Sequence, residues 1–129
     1  MSSVDHHIDV EVPLTAAYDE WTRFERLPRF MDGVDEVRQV DETHLLWRAV
    51  YDGVEAEWTC EIVEQRPEER IAWRSTSGLT LGGVVAFHPL GDDTTRVMIM
   101  AEVDSAAAPI VAQRLKDALA SFKAMMEAA

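Results

Sequence analysis

Three of the four tryptophans, Trp47, Trp58 and Trp73, together with the lone Cys60, are the side chains whose spacing first suggests chemistry. They lie in stretches where apolar and polar residues alternate, the period of strands with one dry face. Asp52-Gly53, between two such stretches, signals a type I′ turn, because that turn needs positive φ at both central positions. Closing a hairpin there sets Tyr51 opposite Val54, Ala49 opposite Ala56, Trp47 opposite Trp58 and Leu45 opposite Cys60, all on one face. A second hairpin, with a four-residue turn through Arg66 to Glu69, sets Ile62 opposite Trp73. The other face then pairs Arg48 with Glu57 and Arg74 with Glu61, as a wet surface does. Indoles gathered on a dry face can stack on a flat apolar guest or simply fill a core, and both readings stand. A buried indole N–H also needs a partner, such as a hydroxyl, a carbonyl or water.

The remaining polar side chains offer less. His6 and His7 are neighbours on a strand and face opposite sides, while His44 and His88 have no carboxylate or thiolate at ligand spacing, so no metal site is expected. His88 becomes a general base only if its strand turns it inward, and a surface position is the expectation. Burial among indoles raises the pKa of a thiol, which makes Cys60 a packing residue rather than a nucleophile. Gly82-Gly83 begins no helix and has no lysine partner, so it is read as a bend at the sheet edge and not as a phosphate loop. No Ser, His and Asp spacing marks a triad. Ser75 and the indole N–H groups are the polar members of the expected inner face. No catalytic residue, metal or cofactor is assigned.

The elements that position these residues follow from periodicity. Val4, His6, Ile8, Val10 and Val12 alternate with polar residues and place strand 1 over residues 4–12. After Pro13, Leu14, Ala17, Tyr18 and Trp21 recur at helical spacing. Thr22 with Glu25 reads as a capping box for a second short helix, which Pro28 ends or kinks and which carries Leu27, Phe30 and Met31. From Val34 to Val103 the chain reads as a meander of about six strands, broken at Asp41-Glu42-Thr43, Asp52-Gly53, Pro67-Glu68-Glu69, the Gly78 to Gly83 stretch and Gly91-Asp92-Asp93. A simple four-residue turn between the last two strands pairs Phe87 with Met98. The final element starts near Pro109, with the apolar stripe Val111, Leu115, Ala118, Leu119, Phe122, Met125 and Met126. At 1.5 Å per residue its roughly 20 residues make a rod of about 30 Å, long enough to cross a sheet.

Bulk composition bounds the partners. A chain of 129 residues fits one domain, spanning 1–129, and buries roughly two-thirds of its unfolded surface. With 47% hydrophobic and 28% charged residues it is neither disordered nor membrane-embedded in character. No apolar run reaches the roughly 18–20 residues of a bilayer span, and residues 1–7 lack the features of a leader, so stable membrane insertion is not expected and the cytoplasm is. A single cysteine agrees with a reducing compartment. The formal charge of −12 repels phosphate backbones and anionic lipids, so nucleic acid is not an expected partner.

The order strand, two short helices, six-stranded meander and long C-terminal helix resembles the helix-grip fold. The segments YDEWTRFERLPRFMDGVDEVRQVD (18–41), EWTCEIVEQRPEERIAWRSTSG (57–78) and GGVVAFHPLGDDTTRV (82–97) look like the polyketide cyclase/dehydrase branch of the START-like superfamily, which also contains coenzyme Q-binding proteins. The resemblance implies an α+β helix-grip fold, a curved seven-stranded antiparallel sheet around the C-terminal helix with a cavity between them. It places pocket residues at Leu27, Met31 and Val34 and on the strand of Trp58, Cys60 and Ile62. It also puts Val85 and Phe87 on the same face as Val97 and Ile99, which requires a bulge or an odd-length loop. The ring-forming enzymes of the branch carry an arginine where Ile62 aligns and a tyrosine where Val34 aligns, so their polar groups are absent here. The segment between the last strand and the final helix is also shorter than in many relatives.

Residues and resemblance together give the expected ligand-binding set Leu27, Met31, Val34, Trp47, Trp58, Cys60, Ile62, Trp73, Ser75, Phe87, Ile99, Leu115, Leu119 and Phe122. An apolar wall without a catalytic constellation favours binding of a hydrophobic or aromatic small molecule, polyketide-, quinone- or lipid-like. A polyketide cyclase or dehydratase, and an interaction or stress-related domain without a small ligand, are the alternatives. Oligomeric state is not legible.

Overall fold

The computed structural model describes residues 2–51, 53–77 and 81–128. Its elements are β1 (Ser2–Val10), α1 (Leu14–Trp21), a 3₁₀ helix (Phe24–Arg29), β2 (Val34–Gln39), β3 (His44–Tyr51), β4 (Val54–Arg66), β5 (Arg70–Ser77), β6 (Leu81–Gly91), β7 (Thr94–Val103) and α2 (Ala108–Glu127). The strands form one antiparallel sheet in the order β1-β7-β6-β5-β4-β3-β2. β1 and β2 are therefore its two edges, and α1 with the 3₁₀ helix carries the chain from one edge to the other. The result is the α+β helix-grip architecture, a curled sheet holding a long C-terminal helix.

The β3–β4 hairpin has the register that the Asp-Gly signal implies, with Trp47 opposite Trp58 and Leu45 opposite Cys60. Gly53 has φ 77°, a value that favours glycine, while Asp52 lies outside the described residues. The β4–β5 turn is shorter than the four-residue turn expected. Arg66 faces Arg70, the Glu69 N–H donates to the Arg66 carbonyl at 3.0 Å, and Glu68 follows Pro67 with φ 63°. Proline followed by a positive φ is the pattern of a type II turn. This register is offset by one from the expected one, and a bulge at Val63, which is 51% exposed, absorbs the extra residue. Ile62 is thereby restored opposite Trp73, and Glu61 opposite Arg74.

β6 and β7 take the bulged register. Phe87 faces Val97 and Val85 faces Ile99, all four are buried, and the irregularity falls between Pro89 and Gly91. Met98 pairs with Ala86 instead of Phe87, and His88 lies exposed opposite Arg96. Gly82-Gly83 is not at a sheet edge, because β6 runs between β5 and β7. A Cβ on Gly83 would lie 2.3 Å from the Met100 carbonyl and 3.2 Å from Cζ2 of Trp73, so the missing side chain makes room for an indole.

The expected capping box does not form. Thr22 Oγ1 donates back to the Tyr18 and Asp19 carbonyls at 3.0 and 3.1 Å, and Glu25 Oε2 accepts the Gln39 N–H at 3.1 Å. A tertiary donor on β2 has outcompeted the local one, and the short helix is a 3₁₀ turn with Pro28 inside it. α2 starts with a proline in its first turn and buries Val111, Ala118, Leu119 and Phe122. It packs chiefly on β1 and β7. Its last turn is tied down by Lys123 Nζ, which donates to the Asp9 carbonyl and to Glu127 Oε2, both at 2.7 Å, while Glu127 accepts the Glu11 N–H at 2.8 Å.

Candidate functional site

Because α2 leans toward β1 and β7, it leaves the concave face of β3, β4 and β5 partly uncovered, and a cavity of about 150 Å³ remains there. Its floor is Leu45, Trp47 and Ala49 of β3, Trp58, Cys60 and Ile62 of β4, and Ile71 and Trp73 of β5. Val85, Ile99 and Ala101 continue the floor onto β6 and β7. Trp21, Phe24 and Leu27 close it from the short helices, and Val111, Arg114, Leu115 and Ala118 from α2. At the rim stand Met31, Asp32, Val34 and Val50. The wall is apolar apart from three titratable residues, Asp32, Cys60 and Arg114.

The strand register explains the aromatic floor. Residues directly opposite in an antiparallel pair share a face, and Trp47 and Trp58 stack with ring centroids 5.7 Å apart and planes 11° from parallel. The Trp47 Nε1–H donates to Cys60 Sγ at 3.2 Å, so a sulfur answers the buried indole's need for an acceptor. Cys60 is 1% exposed, and burial pushes its thiol pKa up; the indole N–H and the Leu45 backbone N–H oppose that shift without cancelling it. The thiol is a packing group held in its protonated form.

Ten of the fourteen residues singled out from the sequence stand on this wall: Leu27, Met31, Val34, Trp47, Trp58, Cys60, Ile62, Trp73, Ile99 and Leu115. Four do not. Phe87 and Phe122 lie behind Trp21, which they meet edge-on at 6.5 and 5.2 Å, and Phe87 also abuts Tyr18 at 5.5 Å. Leu119 is fully buried in the same core, and Ser75 sits half-buried on β5 opposite Cys60, off the wall. Sequence reasoning passed over Trp21, although the helical spacing of Leu14, Ala17, Tyr18 and Trp21 marked it as inward-facing. It also passed over Leu45 and Ala49, which the Asp-Gly register had already put beside Trp47.

Arg114 was also missed. Three residues after Val111 and four before Ala118, it sits on the apolar stripe by helical spacing alone, a signal that its charge obscures. Its Nη1 donates to the Asp32 carbonyl at 2.7 Å and its Nη2 to the Val50 carbonyl at 2.9 Å, so one side chain of α2 joins the turn before β2 to the end of β3. Gly33 has φ 86°, and a Cβ there would lie 1.6 Å from Nη1, so only glycine leaves the guanidinium its seat.

The histidines stand apart from the cavity wall. His7 is exposed, and His44 Nδ1 lies 2.9 Å from Asp41 at a surface corner. Among the described residues no three His, Cys, Asp or Glu side chains are grouped to hold a metal ion. No helix among them is long and apolar enough to cross a membrane.

Comparison with known proteins gives this architecture its relatives. The family described as polyketide cyclase/dehydrase and lipid transport matches residues 10–127. An uncharacterized 17.2 kDa protein of Streptomyces lincolnensis is 45% identical over 100 residues, covering 77% of this chain and 67% of its own length. A crystal structure from Deinococcus radiodurans aligns with a TM-score of 0.80 at 26% identity over 98% of both chains. The Zhui aromatase/cyclase from Streptomyces sp. R1128 aligns with a TM-score of 0.82 at 12% identity over 98% of this chain and 93% of its own. The match over nearly the whole chain leads to one conclusion: the chain belongs to the polyketide cyclase/dehydrase and lipid transport family.

Proposed function

We propose that the chain is a binding module for a small, mainly apolar, ring-bearing molecule held between the sheet and α2. The observation that carries this reading is the cavity of about 150 Å³ floored by stacked indoles. An apolar cavity of about that volume in another protein takes up benzene, whereas pockets for drug-sized ligands run to roughly 300–1,000 Å³. A guest that fits this cavity as it stands is a compact aromatic of one or two rings. Two features speak against catalysis. Val34 and Ile62, where ring-forming enzymes carry polar groups, are both apolar wall residues, and the buried thiol of Cys60 is held protonated. Among the described residues of the wall, no base is paired with an acid at bonding distance.

The test is titration of tryptophan emission with a panel of small aromatics, paired with thermal unfolding. A guest at about 100 times its Kd stabilises the fold by about 2.7 kcal/mol, a shift of several degrees in Tm. Emission and Tm both unmoved across the panel would remove the proposal. The cyclase reading is separated by a poly-β-ketone assay, in which binding alone leaves the product distribution unchanged by the protein.

A further inference from the structure

We propose that Arg114 is the polar anchor of the cavity and selects guests bearing a carboxylate at one end of an apolar ring. This rests on the cavity being a binding site and adds the chemistry of the guest's other end.

Most arginines elsewhere in the chain meet carboxylates, as Arg70 lies 2.6 Å from Glu64, Arg74 3.1 Å from Glu61 and Arg96 2.8 Å from Asp9, while Arg29, which pairs with none among the described residues, is exposed on the surface. Arg114 is different. Its two hydrogen bonds go to neutral backbone carbonyls, those of Asp32 and Val50, and among the described residues it forms no ion pair. A guanidinium carries five N–H donors, so three remain after those two bonds. In a chain of formal charge −12, this cation has no carboxylate within ion-pair distance among the described residues, although it lines an apolar cavity. Asp32, the one acidic residue of the lining among the described residues, gives Arg114 its backbone carbonyl, and the residue itself is exposed.

The seat is also built to hold the group still. Two carbonyls from separate elements fix the plane of the fork, and Gly33 leaves the space that the fork fills. A planar guanidinium presented edge-on matches a carboxylate with two parallel bonds. On the floor, the Trp47 N–H is already spent on Cys60, and the Trp58 and Trp73 indoles bring only neutral donors. Charge recognition at this cavity thus falls to one residue, and the ring of the guest lies on the indoles while its charged end reaches the rim.

The experiment compares benzoate with toluene, which share a ring and differ in the charged end, on the wild-type chain, Arg114→Met and Arg114→Lys. Binding is followed by tryptophan emission and by ligand-observed NMR. Arg114→Met is expected to weaken benzoate by about 10-fold or more while toluene changes by less than about 2-fold, and Arg114→Lys to recover part of the loss. If near-UV circular dichroism shows that Arg114→Met does not fold, Arg114→Gln replaces it with the same expected selectivity. Equal losses for both probes would overturn the anchor and leave Arg114 as a structural tie. A wild-type chain that binds toluene but not benzoate would overturn the anchor and keep the cavity, and one that binds neither would remove both.

Discussion

Cys60 shows how an environment sets the chemistry of a residue. Register puts it opposite Leu45 on the face it shares with Trp47, burial raises its pKa, and the Trp47 N–H bonds its sulfur. The thiol of the folded protein is expected to react with Ellman's reagent at pH 8 at least about 100-fold more slowly than in guanidinium, because exposure requires an opening of the fold. Cys60→Val should cost about 1–3 kcal/mol by stranding the indole N–H, and Cys60→Ser less, since a hydroxyl oxygen also accepts. A fast native thiol, or equal costs for the two variants, would contradict this. The inertness of Cys60 was legible because it follows from one hairpin's register. The role of Arg114 was not, because its partners are backbone carbonyls 82 and 64 positions away, and backbone oxygens carry no residue-type signal.

Among the elements, β6 shows where local sequence rules gave way to neighbours. A Gly-Gly pair reads as a bend, yet Gly83 lies opposite Trp73 in the middle of the sheet. Gly83→Ala would bring a Cβ to 2.3 Å from the Met100 carbonyl, a backbone atom that cannot swing aside, whereas at Gly82 the nearest atom is 3.2 Å away. Gly83→Ala is expected to destabilise by about 1–3 kcal/mol and Gly82→Ala by clearly less, read from urea unfolding followed by tryptophan emission. Equal effects would mean that the Met100 carbonyl does not need the gap. Type and order of elements were legible, since strand alternation and the helical stripe are long signals. The Val63 bulge and the lost Thr22–Glu25 box were not, because each is settled by something outside the local pattern: the type II turn at Pro67, four residues on, in one case, and the Gln39 N–H on β2 in the other.

For the molecule as a whole, acidic charge and acid stability are linked. Asp9 is held below the ordinary carboxyl range by its hydrogen bond from Arg96, Glu64 by that from Arg70 and Glu127 by that from Lys123. A carboxyl lowered on folding contributes stability that is full above its unfolded pKa and is lost as pH falls through the folded one. Stability is therefore expected to decline as pH drops below about 4, the ordinary carboxyl range, and Arg96→Gln to flatten part of that decline by removing the shift at Asp9. These groups are solvent-exposed, so each effect is small, and relief of self-repulsion among the unpaired carboxylates opposes it. Urea midpoints across pH 2–7 for both proteins measure the difference; parallel curves would refute the assignment. The cavity, for its part, is communal: α1, the 3₁₀ helix, six of the seven strands and α2 all send side chains to it. Reshaping any one of them alters the hollow without unpicking a strand. Substitutions on such a scaffold can therefore change what is held while the backbone stays put, because the lining and the strand ladder draw on different groups.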